Sequence, residues 1–178
     1  FGNVKRLFFP IWRDVDYICE NGALVVTGEK QISHWLPRGL AEEVIRDILA
    51  ANMEIVLSAP ETCYLLSNAN KAYADEMVYR LKNTCTVIDD PFLFAEEYIK
   101  ISGYWPTDVS EVAPPLQKKW QGRIHCDVAG KNWLDFTLSN KGTGIRALSQ
   151  KLKIPFSDIA AFGDQFNDES MLELAGHP

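Results

Sequence analysis

Residues 159–168 read IAAFGDQFND, an apolar run closed by Gly163 and followed within one short loop by Asp164, Asn167 and Asp168. The apolar run predicts a strand over residues 159–162, with Gly163 letting the backbone turn sharply at its end. Asp164 then stands at the carboxyl end of that strand, the edge at which open α/β sheets bind ligands. Two carboxylates and an amide on one loop are hard oxygen donors, the kind that hold Mg²⁺ together with water and a substrate phosphate. The competing reading is structural: Asp168 caps a helix through Met171, Leu172 and Ala175, and Asp164 is a solvated turn residue.

Upstream, Asn140 is an N-cap residue, followed by a helix with Ile145, Leu148 and Leu152 on one face that ends near Ile154 and Pro155. Lys141 opens this helix, where its charge opposes the helix dipole. That local cost points to function, because an ammonium beside a helix N-terminus and an acidic loop can hold a phosphate. The plain alternative is an exposed lysine of no consequence. Helix, loop, strand, acidic loop and helix in succession form an α/β unit of the type that builds a parallel sheet.

Further out, residues 17–26 (YICENGALVV) predict strand, tight turn and strand, and Leu40, Val44, Ile48 and Ala51 predict a helix over 40–51. Residues 53–57 and 62–66 predict an antiparallel pair, and residues 75–81 a short helix. Further strands are expected at 84–88, 98–101, 123–128 and 133–138, the last two joined by a hairpin turn at 129–132. The Pro-containing stretch 105–115 is expected to be a loop. The chain thus combines α/β organisation at its ends with an antiparallel α+β middle.

ENGA at residues 20–23, NKGTGIRAL at 140–148 and AFGDQFNDESMLELAG at 161–176, in this order and spacing, resemble the Cof-type, subclass IIB haloacid dehalogenase-like phosphatases. The resemblance implies a Rossmann-like α/β core with an inserted α+β cap: residues 1–32 and 139–178 in the core, 33–138 in the cap. It implies Mg²⁺ as cofactor, held by Asp164 and Asp168. Lys141 and Asp164 become the catalytic residues, and Lys141, Asn21 and Asn167 the phosphate-binding ones. The implied reaction is hydrolysis of a small phosphorylated metabolite, such as a sugar phosphate, through an aspartyl-phosphate. Two alternatives are a sugar phosphomutase of the same fold and a non-catalytic phosphate- or metal-binding module.

The family's nucleophile lies in an N-terminal D-x-D-G-T motif. Asp14, Val15 and Asp16 imitate its start but lack the Gly-Thr, and Pro10 interrupts the apolar residues before them. Asp89 and Asp90 fail in the same way and fall in the expected cap. The chain begins at Phe1 without Met, so the nucleophile and the first core elements are expected upstream, and the last core strand beyond Pro178.

Composition narrows the rest. The 178 residues carry a net charge of −6, with no basic block longer than Lys118-Lys119, which argues against a nucleic-acid surface. Apolar stretches such as 55–60 are far shorter than a bilayer span, and no basic-then-apolar leader opens the chain. Cys19, Cys63, Cys85 and Cys126 are scattered without a CxxC pair, so neither a zinc site nor a disulfide framework is expected, and a reducing cytoplasm is. His34, His125 and His177 are too dispersed to define a site. His34, Trp35 and Arg38 suit packing or a hinge between core and cap, His125 a surface position in a strand, and the aromatics Tyr104, Trp105, Trp120 and Trp133 a core.

Overall fold

The computed structural model describes residues 2–28 and 30–178. After helix α1 (Gly2–Leu7), strands β1 (Tyr17–Cys19), β2 (Leu24–Thr27) and β3 (Lys30–Ser33) form an antiparallel three-stranded sheet in the order β1-β2-β3. The expected strand–turn–strand over 17–26 is present. Its turn carries three successive left-handed residues, Glu20 and Asn21 at φ 51° and Gly22 at φ 90°. Gly22 has no substitute here, because an added Cβ would lie 2.0 Å from the carbonyl oxygen of Asn140. β3 escaped the sequence reading because Ile32 is its one large apolar residue.

Helix α2 (Arg38–Ala50) follows, then β4 (Glu54–Ser58), β5 (Cys63–Leu66), α3 (Lys71–Asp75), β6 (Cys85–Ile88), β7 (Lys100–Tyr104), α4 (Ala113–Trp120), β8 (His125–Ala129) and β9 (Trp133–Thr137). The strands form a six-stranded sheet in the order β6-β5-β4-β7-β9-β8, antiparallel except for the β5–β6 pair. Alternation along β4 divides the packing: Ile55 and Leu57 join Val44, Ile48, Trp120, Ile101 and Phe136 in the main core, while Val56 joins Leu65, Tyr73 and Met77 in a second cluster. A third cluster joins Tyr17, Leu24 and Val26 of the small sheet to Ile99, just before β7.

Three expectations need correction. Pro114 and Pro115, read as loop, lie in the first turn of α4, where a missing backbone N–H costs the helix nothing. The helix expected at 75–81 begins earlier, as α3, and continues as a π-helical turn over Glu76–Arg80. The strand expected at 159–162 is reduced, among the described residues, to a single parallel bridge between Ala160 and His177. Only Ala161 of that run is buried, and Phe162 is exposed. The chain closes with α5 (Lys141–Leu152) and a short α6 (Glu169–Leu172). Among the described residues no helix is long and apolar enough to cross a membrane.

Candidate active site

The start of α5 is built by local chemistry. Asn140 caps it, accepting a 2.8 Å hydrogen bond from the Thr143 amide, while Thr143 Oγ1 accepts from the Asn140 amide at 3.4 Å. The two glycines of the NKGTG run are contact surfaces. A Cβ on Gly142 would lie 2.4 Å from the Ser170 carbonyl oxygen, and one on Gly144 would lie 2.3 Å from Ile18 Cγ2. Only bare backbone lets α5 sit this close to α6 and to β1. The Gly142 amide donates to Ser170 Oγ at 3.1 Å. The Gly142 and Thr143 amides are occupied, and the Lys141 ammonium stands beside them as a further donor.

Lys141 Nζ donates to Asn167 Oδ1 at 3.3 Å and to Asp168 Oδ1. Asp168 is 5% exposed, and its other oxygen accepts from the amides of Asp164 at 3.1 Å and Gln165 at 3.0 Å. Its carboxylate therefore turns back onto its own loop; it makes no side-chain capping bond to α6. The Lys141 ammonium and the Gln165 amide hold the Asp168 carboxyl below the ordinary carboxylate range. Gly163 permits this closure, since a Cβ there would lie 2.4 Å from Asp168 Cβ. Asp164 remains exposed on the same loop.

Lys141 and Asn167 open into a cavity of about 510 Å³ that Asn21, Ser139, His125 and Asp127 also line. Three of the residues singled out in the sequence thus share one cavity. Asp168 and Asp164 attach to its loop, Asp168 from beneath. His125 and Asp127 come from β8, an edge of the six-stranded sheet; sequence reading gave His125 no role beyond the surface and did not single out Asp127. Ser139 is buried and lies 2.6 Å from His34 Nδ1, which ties the segment after β3 to the start of α5. Arg38 is engaged elsewhere, with Glu42 and Glu96. His177 lies in the bridge to Ala160. Asp14, Asp16, Asp89 and Asp90 are exposed.

Asn21 is held from a second direction. Its Nδ2 donates to Asp135 Oδ2 at 2.9 Å, and buried Asp135 also accepts from Ser102 Oγ at 2.6 Å and Lys100 Nζ at 3.2 Å. Lys100 Nζ further pairs with Glu20 Oε2 at 2.8 Å. Burial works against the charge on Lys100, but Asp135 and Glu20 overcome it and hold the ammonium above the ordinary lysine range. Lys100 in turn holds Glu20 below the ordinary carboxylate range. Sequence analysis missed this network, although a lysine between Ile99 and Ile101 and an aspartate between Leu134 and Phe136 are charges inside apolar strands, a pattern that asks for buried partners.

Among the described residues no group of three or more His, Cys, Asp or Glu is placed to hold a metal ion. Within the donor set, Asp168 has both oxygens committed, and Asp164 is the carboxylate left open to a cation. Lys141 shares the lining of the cavity with three carboxylates, Asp127, Glu169 and Glu173.

The model of the haloacid dehalogenase-like hydrolase family matches residues 3–178. The chain is 26% identical over 184 residues to the 5-amino-6-(5-phospho-D-ribitylamino)uracil phosphatase YbjI of Escherichia coli (strain K12), covering 95% of this chain and 64% of that relative. It therefore spans less than two thirds of that relative's length. Among solved structures, a haloacid dehalogenase-like hydrolase from B. subtilis superposes with a TM-score of 0.78 at 20% identity, over 98% of this chain and 72% of the other. The subclass IIB sugar phosphatase BT4131 superposes with a TM-score of 0.72 at 18% identity, over 90% and 62%. These structural likenesses carry the mixed α/β fold, and the family model, matched along nearly the whole sequence, carries the assignment: the chain belongs to the haloacid dehalogenase-like hydrolases.

Proposed function

We propose that residues 1–178 are the phosphate-handling and substrate-covering part of a Mg²⁺-dependent phosphomonoesterase acting on a small phosphorylated metabolite. The observation that carries this reading is the Lys141 clamp. An ammonium has three N–H donors; Asn167 and Asp168 take two, leaving one for a phosphoryl oxygen in the cavity. Asp168 fixes the direction of the Lys141 side chain and closes the loop that presents Asp164. Asp164 is the residue that would hold Mg²⁺, and Asp168 supports that position through the loop amides instead of by direct contact. A bound divalent cation neutralises charge on the phosphoryl oxygens during transfer. The aspartate nucleophile that the reading calls for is not Asp168, whose oxygens are committed, nor Asp164, which the reading assigns to Mg²⁺.

In this reading, residues 1–32 and 139–178 form the core and 33–138 the cap. The six-stranded sheet falls wholly within the cap segment, which supports the division. Asn21, held by Asp135, and His125 and Asp127 from β8 face the position the leaving group would take. Such polar groups suit a hydroxyl-rich ester, a sugar phosphate or similar molecule. The names of the phosphoribitylamino-uracil phosphatase and of the sugar phosphatase support the same class.

The test is phosphate release from a panel of sugar and sugar-alcohol phosphates by the full-length protein, with and without Mg²⁺. Lys141→Ala and Asp164→Asn are expected to abolish Mg²⁺-dependent release while the circular dichroism spectrum is unchanged. Turnover equal to wild type in either variant would overturn the assignment of that residue.

A further inference from the structure

The four cysteines look unrelated in the sequence, yet two of them meet. Cys63 on β5 and Cys85 on β6 are register partners in the parallel β5–β6 ladder, and their sulfur atoms lie 3.1 Å apart. Register partners on adjacent strands have Cα atoms about 4.8 Å apart and side chains on the same face, inside the window of about 4.4–6.8 Å that a disulfide requires. Both thiols are half-buried and neither is in a disulfide, and Cys63 lines a cavity of about 380 Å³ that Glu20, Lys100 and Asp135 also line. The remaining cysteines, Cys19 and Cys126, are in other elements: Cys19 in β1 and Cys126, buried, in β8. β6 is the edge strand of its sheet, with β5 as its ladder partner. A cross-link at this point would fasten the edge without moving the backbone.

We propose that Cys63 and Cys85 are a reversible oxidation site, a cross-strand dithiol that peroxide converts to a disulfide pinning edge strand β6 to β5. The two sulfurs have different roles. The hydrogen bond shared by the two sulfurs holds the Cys85 thiol below its ordinary range, whereas the neighbouring Cys85 sulfur, burial and the Glu20 carboxylate push Cys63 up. Cys85, on the edge strand and less buried than the cavity-lining Cys63, is the attacking thiolate. Its sulfur bonds to one peroxide oxygen, the O–O bond breaks, and the departing hydroxide takes a proton to leave as water, giving a sulfenic acid. The Cys63 sulfur then attacks the Cys85 sulfur; the S–O bond breaks and the hydroxyl leaves as a second water with the Cys63 proton. Two thiols are oxidised and one peroxide is reduced.

The test uses the full-length protein treated with hydrogen peroxide, read by intact mass and by peptide mapping without reductant. Expected are the loss of two hydrogen atoms, a linked peptide pair containing Cys63 and Cys85, reversal by dithiothreitol, and a higher melting temperature in the oxidised form. Cys63→Ser is expected to stop at a Cys85 sulfenic acid that dimedone traps, and Cys85→Ser to react about tenfold more slowly. A link involving Cys19 or Cys126, sulfinic acids at Cys63 and Cys85 without a link, or no change under peroxide that oxidises free cysteine would each overturn the proposal. The wild-type map decides the matter even where a serine variant fails to fold.

Discussion

Lys100 and Lys141 both sit against carboxylates, and the contrast between them separates structure from function in this molecule. Lys100 is 16% exposed and pairs with two carboxylates, Glu20 and Asp135, from opposite sides of the junction between the small sheet and the large one. Lys141 is 30% exposed and pairs with one, Asp168, whose second oxygen faces backbone amides. The first lysine is more than neutralised by its two carboxylates, so its charge is spent on holding two elements together. The second is matched by a single carboxylate and opens into the cavity lined by Asn21 and Asn167. An ammonium outmatched by two carboxylates acts as a fastener, whereas one matched by a single carboxylate beside a cavity suits the proposed role of binding an anion.

The comparison is most directly broken at Lys100. Lys100→Met leaves buried Asp135 and half-buried Glu20 without their cation and is expected to cost about 3–5 kcal/mol of stability, measured by urea denaturation. A loss below about 1 kcal/mol would mean that the network is not the fastener described. Lys141→Met should cost less stability, about 1–2 kcal/mol, because buried Asp168 keeps its two amide donors, but phosphate release by the full-length protein should fall by at least about 100-fold. Equal effects of the two substitutions on stability would erase the distinction.

Acid sharpens it. Glu20 and Asp168 are both held below the ordinary carboxylate range by their lysines. A carboxylate with a lowered folded pKa contributes stability that is fully present above its unfolded value, about 4, and is lost as pH falls through the folded value. Stability should therefore fall with pH below about 4, and removing Lys100 should flatten the part of that fall due to Glu20. The smallest expected effect is at the cap: Asn140→Ala should cost about 1 kcal/mol in thermal denaturation, loosening the helix end that carries Lys141 without touching the Lys100 network.

Legibility followed the range of the interaction. Asn140, Lys141 and the GDQFND loop were readable because capping, helix charge placement and a glycine turn are decided within a few residues, and they lie where the sequence put them. Pro114 and Pro115 were misread because proline breaks a helix interior but is harmless in a first turn, and its position relative to the helix start is not visible in a window. Residues 159–162 have strand composition, but a parallel strand exists only through its neighbours, and here the pairing amounts to one bridge.

The sequence by itself determined the capped start of α5, the acidic loop, the strand–turn–strand at 17–26 and, by resemblance, the family. Tertiary structure alone decided what those parts face. It brought Asp135 to Asn21 across 114 residues, closed Asp168 onto Lys141 across 27, set His125 and Asp127 at the rim of the same cavity, and laid Cys63 beside Cys85. The physical reason is common to all four. Local patterns carry propensities, which bias a few backbone angles, whereas a pairing between distant side chains depends on strand order and register, and the hydrophobic packing of whole elements fixes these.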